Sequence, residues 1–343
     1  MLRELDSLPD GLLETDSRRL AERLGAPTLI HLPGARGPAL FVSVLLHGNE
    51  TVGWEAVRAL LRERLERFGE LRLPRALSLF IGNVSAAAGG VRRLPGQPDY
   101  NRVWPGSEDP ETLEHRLMRQ VVDIMARRGI FASLDLHNNT GLNPHYACVN
   151  RLDARFLHLA RLFGRTVVYF IRPTGVQSMA MAELAPAVTL ECGKVAEQAG
   201  IDHAREFVEA VLHLSEIPAH PLPAREIDLF HTVAQIRIPE TVSFGFDPSD
   251  VDLWLDPELE RMNFRELPVG TPFARVRPGA ETALDVIDER GRDVSARYFR
   301  LEDGEWRLRR CLMPSMLTRD ETVIRQDCLC YLMERYQPPT AAA

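Results

Sequence analysis

Ala39-Leu40-Phe41-Val42-Ser43-Val44-Leu45-Leu46-His47-Gly48-Asn49-Glu50-Thr51 is the stretch that decides the fold. A largely apolar run, Ala39 to Leu46, reads as a buried strand, and an amphipathic pattern from Thr51 to Arg67 takes over directly behind it. Val57, Leu60, Leu61 and Leu65 share one helical face while Arg58, Arg62, Glu63 and Glu66 stay wet. A strand running into a helix across Gly48-Asn49 marks a sharp turn at the carboxyl end of a strand, the rim where open α/β sheets place their ligand sites. His47 and Glu50, three residues apart on that turn, can grip one metal ion. His203/Glu206 and His213/Glu216 repeat the spacing, but both read as solvated faces of one long helix.

The same alternation continues outward. Further strands are expected at Thr28–His31, Ala76–Gly82, Phe131–His137, Val167–Ile171 and Ala187–Glu191, and helices at Gly11–Arg23, Glu111–Arg127, Ala154–Phe163 and Val195–Leu214. That order yields an α/β domain with a mostly parallel or mixed central sheet and helices on both faces. The prolines of Ile217-Pro218-Ala219-His220-Pro221-Leu222-Pro223 end it with an extended connector. Beyond lie mostly β signals, at Thr232–Ile238, Pro272–Val276, Ala283–Ile287, Trp306–Leu312 and Cys328–Met333, with turns at Glu289-Arg290-Gly291 and Glu302-Asp303-Gly304. The expected division is a catalytic domain over 1–216 and a smaller β domain over 224–337, with Pro338–Ala343 as a frayed end.

A chain of 343 residues that is 45% hydrophobic can bury a sizeable core. A net charge of −7 and the absence of a basic run argue against nucleic acid or an anionic membrane as partner and favour a small molecule. No stretch of about 18 apolar residues occurs, and the acidic start, Met1–Asp16, lacks a signal-peptide core, so a cytoplasmic protein is expected. A homo-oligomer is compatible with the sequence. Lys194 is the only lysine among 41 basic residues, a skew that coding bias explains better than chemistry. Five cysteines, Cys148, Cys192, Cys311, Cys328 and Cys330, are odd in number and irregularly spaced, which points to reduced thiols. Cys328-Leu329-Cys330 has no second Cys or His pair nearby to complete a zinc site and reads as buried small residues.

The chemistry gathers at strand ends. His137, in Ser133-Leu134-Asp135-Leu136-His137-Asn138-Asn139, closes another apolar strand and is the candidate third ligand beside His47 and Glu50. Asp135, two residues earlier and on the same face, can accept the second ring N–H of a ligating histidine. Two His and one carboxylate suit one zinc ion with an open position, where a bound water's pKa falls to about 7. Glu191 closes a third strand in Val188-Thr189-Leu190-Glu191-Cys192-Gly193 and is assigned the general base. The long loop Gly89–Gly106 carries Arg92, Arg93 and Arg102, which suit a carboxylate clamp or an oxyanion contact as well as they suit a solvated loop. No phosphate-binding pattern accompanies Gly89-Gly90.

Four motifs in order, His-Gly-Asn-Glu-Thr at 47–51, Asp-Tyr-Asn-Arg at 99–102, Asp-Leu-His-Asn at 135–138 and Thr-Leu-Glu-Cys-Gly-Lys at 189–194, resemble the succinylglutamate desuccinylase/aspartoacylase family of zinc carboxypeptidase-like hydrolases. The resemblance covers about Ala39 to Glu216. It implies that His47, Glu50 and His137 bind Zn2+, that Glu191 is base and later proton donor, and that Asn101 and Arg102 hold a substrate carboxylate. It also implies that an Arg earlier in the loop polarises the scissile carbonyl, Arg93 being preferred over Arg92, and that His145 in Asn143-Pro144-His145 borders the acyl pocket. The expected reaction is hydrolysis of an N-acyl amino acid by a zinc-activated water. One departure stands out: members carry a further Arg before the catalytic Glu, whereas Ser178–Val188 has no basic residue and has Met179 and Met181, so a diacid preference does not carry over. An esterase or peptidase of the same fold, or a catalytically silent zinc-binding protein, are the alternatives.

Overall fold

A computed structural model of the chain describes residues 1–247, 251–280 and 284–336, in two compact units. The first comprises 1–138 and 145–228; the second comprises 139–144 and the described residues from 229 onward. The expected frayed end, Pro338–Ala343, and the first residue of the strand expected at Ala283–Ile287 lie outside the described residues.

The first unit contains β1 (Arg3–Leu5), α1 (Leu20–Leu24), β2 (Thr28–Leu32), β3 (Ala39–Val44), α2 (Val52–Phe68), β4 (Leu77–Ile81), α3 (Val84–Gly89) and α4 (Leu113–Arg128). It continues through β5 (Ile130–Asn139), β6 (Tyr146–Val149), α5 (Ala154–Phe163), β7 (Thr166–Tyr169), α6 (Gln177–Met181), β8 (Ala187–Lys194) and α7 (Gln198–His213). Its strands are ordered β1-β2-β4-β3-β5-β8-β6-β7. β3 runs parallel to both β4 and β5, while β2 is antiparallel to β4 and β6 antiparallel to β8. The sheet is therefore mixed, as expected. β3 is buried along nearly all of its length, which is why it reads as a continuous apolar run with no polar alternation.

The expected helix at Gly11–Arg23 is confined to 17–24. Asp16 accepts from the backbone N–H groups of Arg18 and Arg19 and starts a short 3-10 turn that leads into α1, while Gly11 at φ +69 keeps the preceding residues out of the helix. The strand expected at Trp306–Leu312 ends at Leu308, and Leu312 makes only an isolated bridge to Leu267. Short elements without a full period, β1, α3, β6 and α6, were not legible from pattern.

In the second unit, β9 (Asp228–Arg237) pairs with both β13 (Asp285–Asp288) and β17 (Cys330–Arg335), and β17 pairs with β16 (Met313–Ser315). A second sheet is ordered β10 (Phe244–Gly245), β11 (Leu253–Trp254), β12 (Pro272–Val276), β15 (Glu305–Leu308) and β14 (Phe299–Glu302). Ile236, Leu253, Val286, Leu308 and Leu332 centre its core. All five cysteines are reduced, and no described helix is long and apolar enough to cross a membrane.

Gly48 shows how the turn after β3 is fixed. Its φ is not left-handed; a Cβ there would stand 2.2 Å from Ala87 N and 2.3 Å from Ala86 C, so the backbone of α3 presses against it. Close approach, not turn geometry, excludes any other residue. Gly48→Ala is expected to cost about 3 kcal/mol or more through overpacking. In Gly89→Ala the added Cβ meets nothing nearer than Val91 Cγ2 at 3.5 Å, so that change is expected to be neutral or stabilising. Urea unfolding of both variants checks this; equal losses would remove the packing explanation.

Candidate metal centre and active site

The chain leaves β3 through Leu45, a non-glycine residue at φ +56, and Glu50 N donates to His47 O (3.1 Å) to close the turn. Backbone strain of this kind persists only where surroundings over-determine it. α2 begins at once, yet Thr51 offers no side-chain cap. The cap comes instead from the neighbouring strand: Asn138 Oδ1 accepts from Val52 N at 3.0 Å. Asn138 also donates from Nδ2 to Gly193 O (3.0 Å) and from its backbone N to Glu50 Oε2 (3.2 Å). One buried amide thus ties together the ends of β3, β5 and β8.

The carboxylate of Glu50 lies between two imidazoles. His47 Nδ1 is 2.8 Å from Oε1 and His137 Nδ1 is 2.7 Å from Oε2. Among the described residues these three form the one group of three or more His, Cys, Asp or Glu side chains whose ligand atoms all fall within 4.8 Å of each other. All three are buried. The far nitrogen of each ring is held by a second carboxylate: His47 Nε2 by Asp99 (2.8 Å) and His137 Nε2 by Asp135 (2.8 Å). Asp135 in turn accepts from Ser43 Oγ at 2.7 Å. A ring whose Nε2–H is taken by a carboxylate presents Nδ1 as its metal-binding atom, the arrangement that orients ligating histidines.

Electrostatics points the same way. Burial and Arg92 oppose a charged His47, yet Asp99 and Glu50 outweigh them and raise its pKa. Burial likewise opposes a charged His137, and Asp135 and Glu50 push it well above the usual imidazole range. Burial would raise Glu50, but the two imidazoles bring it below the usual carboxylate range. The pocket therefore favours positive charge at the two Nδ1 positions. A divalent cation on those atoms and Glu50 meets that demand with a donor set that suits zinc.

Glu191 behaves oppositely. It is buried, and its Oε2 has no hydrogen-bond partner among the described residues. Burial, reinforced by Glu50 and Asp135 and opposed by His137 and His47, raises its pKa to about 8. A proton-loving carboxyl beside a cation-loving pocket is a pairing of acid–base and Lewis-acid groups.

Other expected residues are placed as follows. Asn101 is buried, donating from Nδ2 to Asp135 (3.4 Å) and accepting at Oδ1 from Gln177 N (2.9 Å). Arg102 is half-buried and donates to Asn101 O. Arg92, not Arg93, reaches the cluster: its Nη1 is 3.5 Å from Glu50 Oε1, and its Nη2 donates to Asp99 at 2.8 Å. Arg93 instead donates to Gln97 O within its own loop (3.1 Å). His145 is held by His203, at 2.8 Å between the Nδ1 atoms, so His203 is not the simple solvated face its spacing suggested. Asp99, Asn138 and Gln177 were missed. Asp99 and Asn138 sit within the quoted motifs, but nothing in their spacing announces their partners.

The mixed sheet thus carries a buried His-Glu-His group that could hold a metal ion, with Glu191 on a neighbouring strand. Residues 36–217 match the model of the succinylglutamate desuccinylase/aspartoacylase catalytic domain, and the chain belongs to that family. Solved structures share the fold. They include succinylglutamate desuccinylase from Chromobacterium violaceum (20% identity, 89% of this chain and 87% of that one, TM-score 0.57). Murine aminoacylase 3 is similar as well (17%, 88% and 97%, 0.56), as is the product-bound ectoine utilization protein EutE (DoeB) from Ruegeria pomeroyi (15%, 85% and 83%, 0.53).

The raised pKa of Glu191 has a consequence for stability without metal. A carboxyl that holds its proton more tightly folded than unfolded favours the native state at low pH, and that share is lost as pH rises from the unfolded value toward about 8. Glu191→Gln keeps the neutral form at all pH. Metal-free Glu191→Gln is therefore expected to gain in Tm over the parent at pH 8 and not at pH 4, read by thermal unfolding at the two pH values; a pH-independent difference would contradict the shift.

Proposed function

We propose that the chain is a zinc-dependent amidohydrolase that cleaves an N-acyl amino acid to a carboxylate and a free amino acid. The observation that carries this is the buried His47–Glu50–His137 group beside the unpartnered carboxyl of Glu191. Family membership and fold relatives named desuccinylase and aminoacylase support an acyl amino acid as substrate.

His47 Nδ1, Glu50 and His137 Nδ1 would hold one zinc ion, which would supply Lewis acidity toward the scissile carbonyl and the attacking water. Glu191 takes a proton from that water as its oxygen bonds to the carbonyl carbon. It returns the proton to the departing nitrogen as the C–N bond breaks, so the carboxylate ends as it began. Burial raises its affinity for that proton, which suits both steps. Arg92 lies beside Glu50 and takes the oxyanion-stabilising role first placed on Arg93. Arg102, backed by Asn101, is assigned the substrate carboxylate. Asp99 and Asp135 orient the two histidines.

The test is amine release by zinc-loaded protein across N-succinyl, N-acetyl and N-formyl amino acids. Glu191→Gln is expected to lose about a thousandfold in kcat with zinc content unchanged. Near-normal turnover would end the general-base assignment, and silence of the parent on every substrate would end the amidohydrolase reading. Asp99→Asn is expected to weaken zinc binding about 10–100-fold, measured by competition with a chromogenic chelator.

A further inference from the structure

Phe163, at the end of α5, His203 on α7 and His145, just before β6, form a row of three rings, in which Phe163 lies face to face with His203 and His145 meets His203 edge to edge. Phe163 and His203 are 4.2 Å apart and within 2° of parallel; His203 and His145 follow at 5.0 Å and 23°. Hydrogen bonding fixes the protons along the row. His203 Nε2 is 2.8 Å from Phe163 O, and a carbonyl can only accept, so Nε2 carries the hydrogen. Neutral His203 then presents a lone pair at Nδ1. The Nδ1 of His145, 2.8 Å away, must be the donor. Burial and the neighbouring His203 disfavour a charged His145, in keeping with this neutral chain.

The remaining nitrogen, His145 Nε2, lies against Gly193. A Cβ on Gly193 would stand 2.6 Å from that nitrogen and 3.0 Å from Glu197 Oε2, and Gly193 is at φ +78. From another direction the same residue is gripped by Asn138, whose Nδ2 donates to Gly193 O. Glu197 Oε2 also accepts from Lys194 N at 3.1 Å, closing the turn. Gly193 is two residues beyond Glu191 on β8, and Glu191 is paired across the sheet with Tyr146, the neighbour of His145.

We infer that His145 and His203 act as one positioning pair: His203 locks the His145 ring, the ring backs the Gly193 turn, and the turn sets the place of the Glu191 carboxyl. His145 is thus not a substrate contact. This rests on the reading of Glu191 as the base.

Kinetics of the zinc-loaded protein test the pair. His145→Ala is expected to lower kcat about 10–100-fold, the scale of a small misplacement of a reacting group, with KM within about twofold and zinc content unchanged. His145→Asn, whose amide N–H can replace the Nδ1–H toward His203, is expected to recover most of that loss. His203→Ala should match His145→Ala, and the double variant should be no worse than either. Should His145→Ala not fold, His145→Gln keeps bulk but displaces the N–H, and the same loss is expected. In parallel, 13C NMR follows the Glu191 carboxyl titration, which is expected to shift in His145→Ala or His145→Gln and to return in His145→Asn. A rise in KM with kcat unchanged would make His145 a substrate contact and overturn the proposal. Additive losses, or a Glu191 titration indifferent to all these variants, would overturn it as well. If the parent releases no amine from any substrate, the amidohydrolase reading fails, while the titration still decides the pair.

Discussion

The buried carboxylate of Glu50, shared between two imidazole Nδ1 atoms, is the interaction on which the site depends. An ionised carboxylate in a protein interior survives only with charge or strong hydrogen bonds around it. Three buried or nearly buried carboxylates, Glu50, Asp99 and Asp135, crowd the two histidines, with Arg92 beside Glu50 and Asp99 and Arg102 also acting on Asp99. Positive charge at the Nδ1 positions, as protons or as a dication, offsets the carboxylate excess there. Glu191 clings to its proton chiefly because it is buried, with Glu50 and Asp135 adding to the shift and His137 and His47 opposing it.

Geometry adds a second constraint. Parallel β3 and β5 lie side by side, so His47 and His137 leave neighbouring strands at the same end. β8 is the sheet neighbour of β5, and Asn138 adds a side-chain tie to it, spending its acceptor on the start of α2 and its donor on Gly193. A serine or threonine capping α2 locally would satisfy the helix without linking it to Gly193 of β8. Taking the cap from another strand makes the helix start, the Glu50 carboxylate and the segment after Glu191 parts of one network.

This pattern explains what was legible. Each of His47, His137 and Glu191 terminates an apolar run, so a one-dimensional reading finds them, and the resemblance of four ordered motifs names their chemistry. Residues whose partners lie far along the chain were not legible in the same way. Asp99 meets His47 across 52 positions and His145 meets His203 across 58, and no period connects either pair. Sequence leaves Arg92 and Arg93 both open because the loop has no repeating backbone: the turn is fixed by Gly48 N donating to Arg92 O, beside the close packing of Gly48 against α3. Long elements were similarly clear, with Ala154–Phe163 and Pro272–Val276 matching at both ends, while the five-residue α6 lacks enough turns to show a face.

The two histidines are not supported alike. His137 leans on Asp135, two residues away on the same strand and anchored by Ser43 of β3, so its orientation is set by the sheet. His47 leans on Asp99, which belongs to the loop that also carries Arg92, Asn101 and Arg102. The same Asp99 carboxylate accepts from Arg92 Nε and Nη2 and from Asn101 N at 2.7 Å. That loop cannot shift without unpairing Asp99, and a nearly buried carboxylate stripped of three partners is costly. Arg92 and the His47 ring are therefore held in one geometry, which places an ordered arginine at the edge of the His47–Glu50–His137 group.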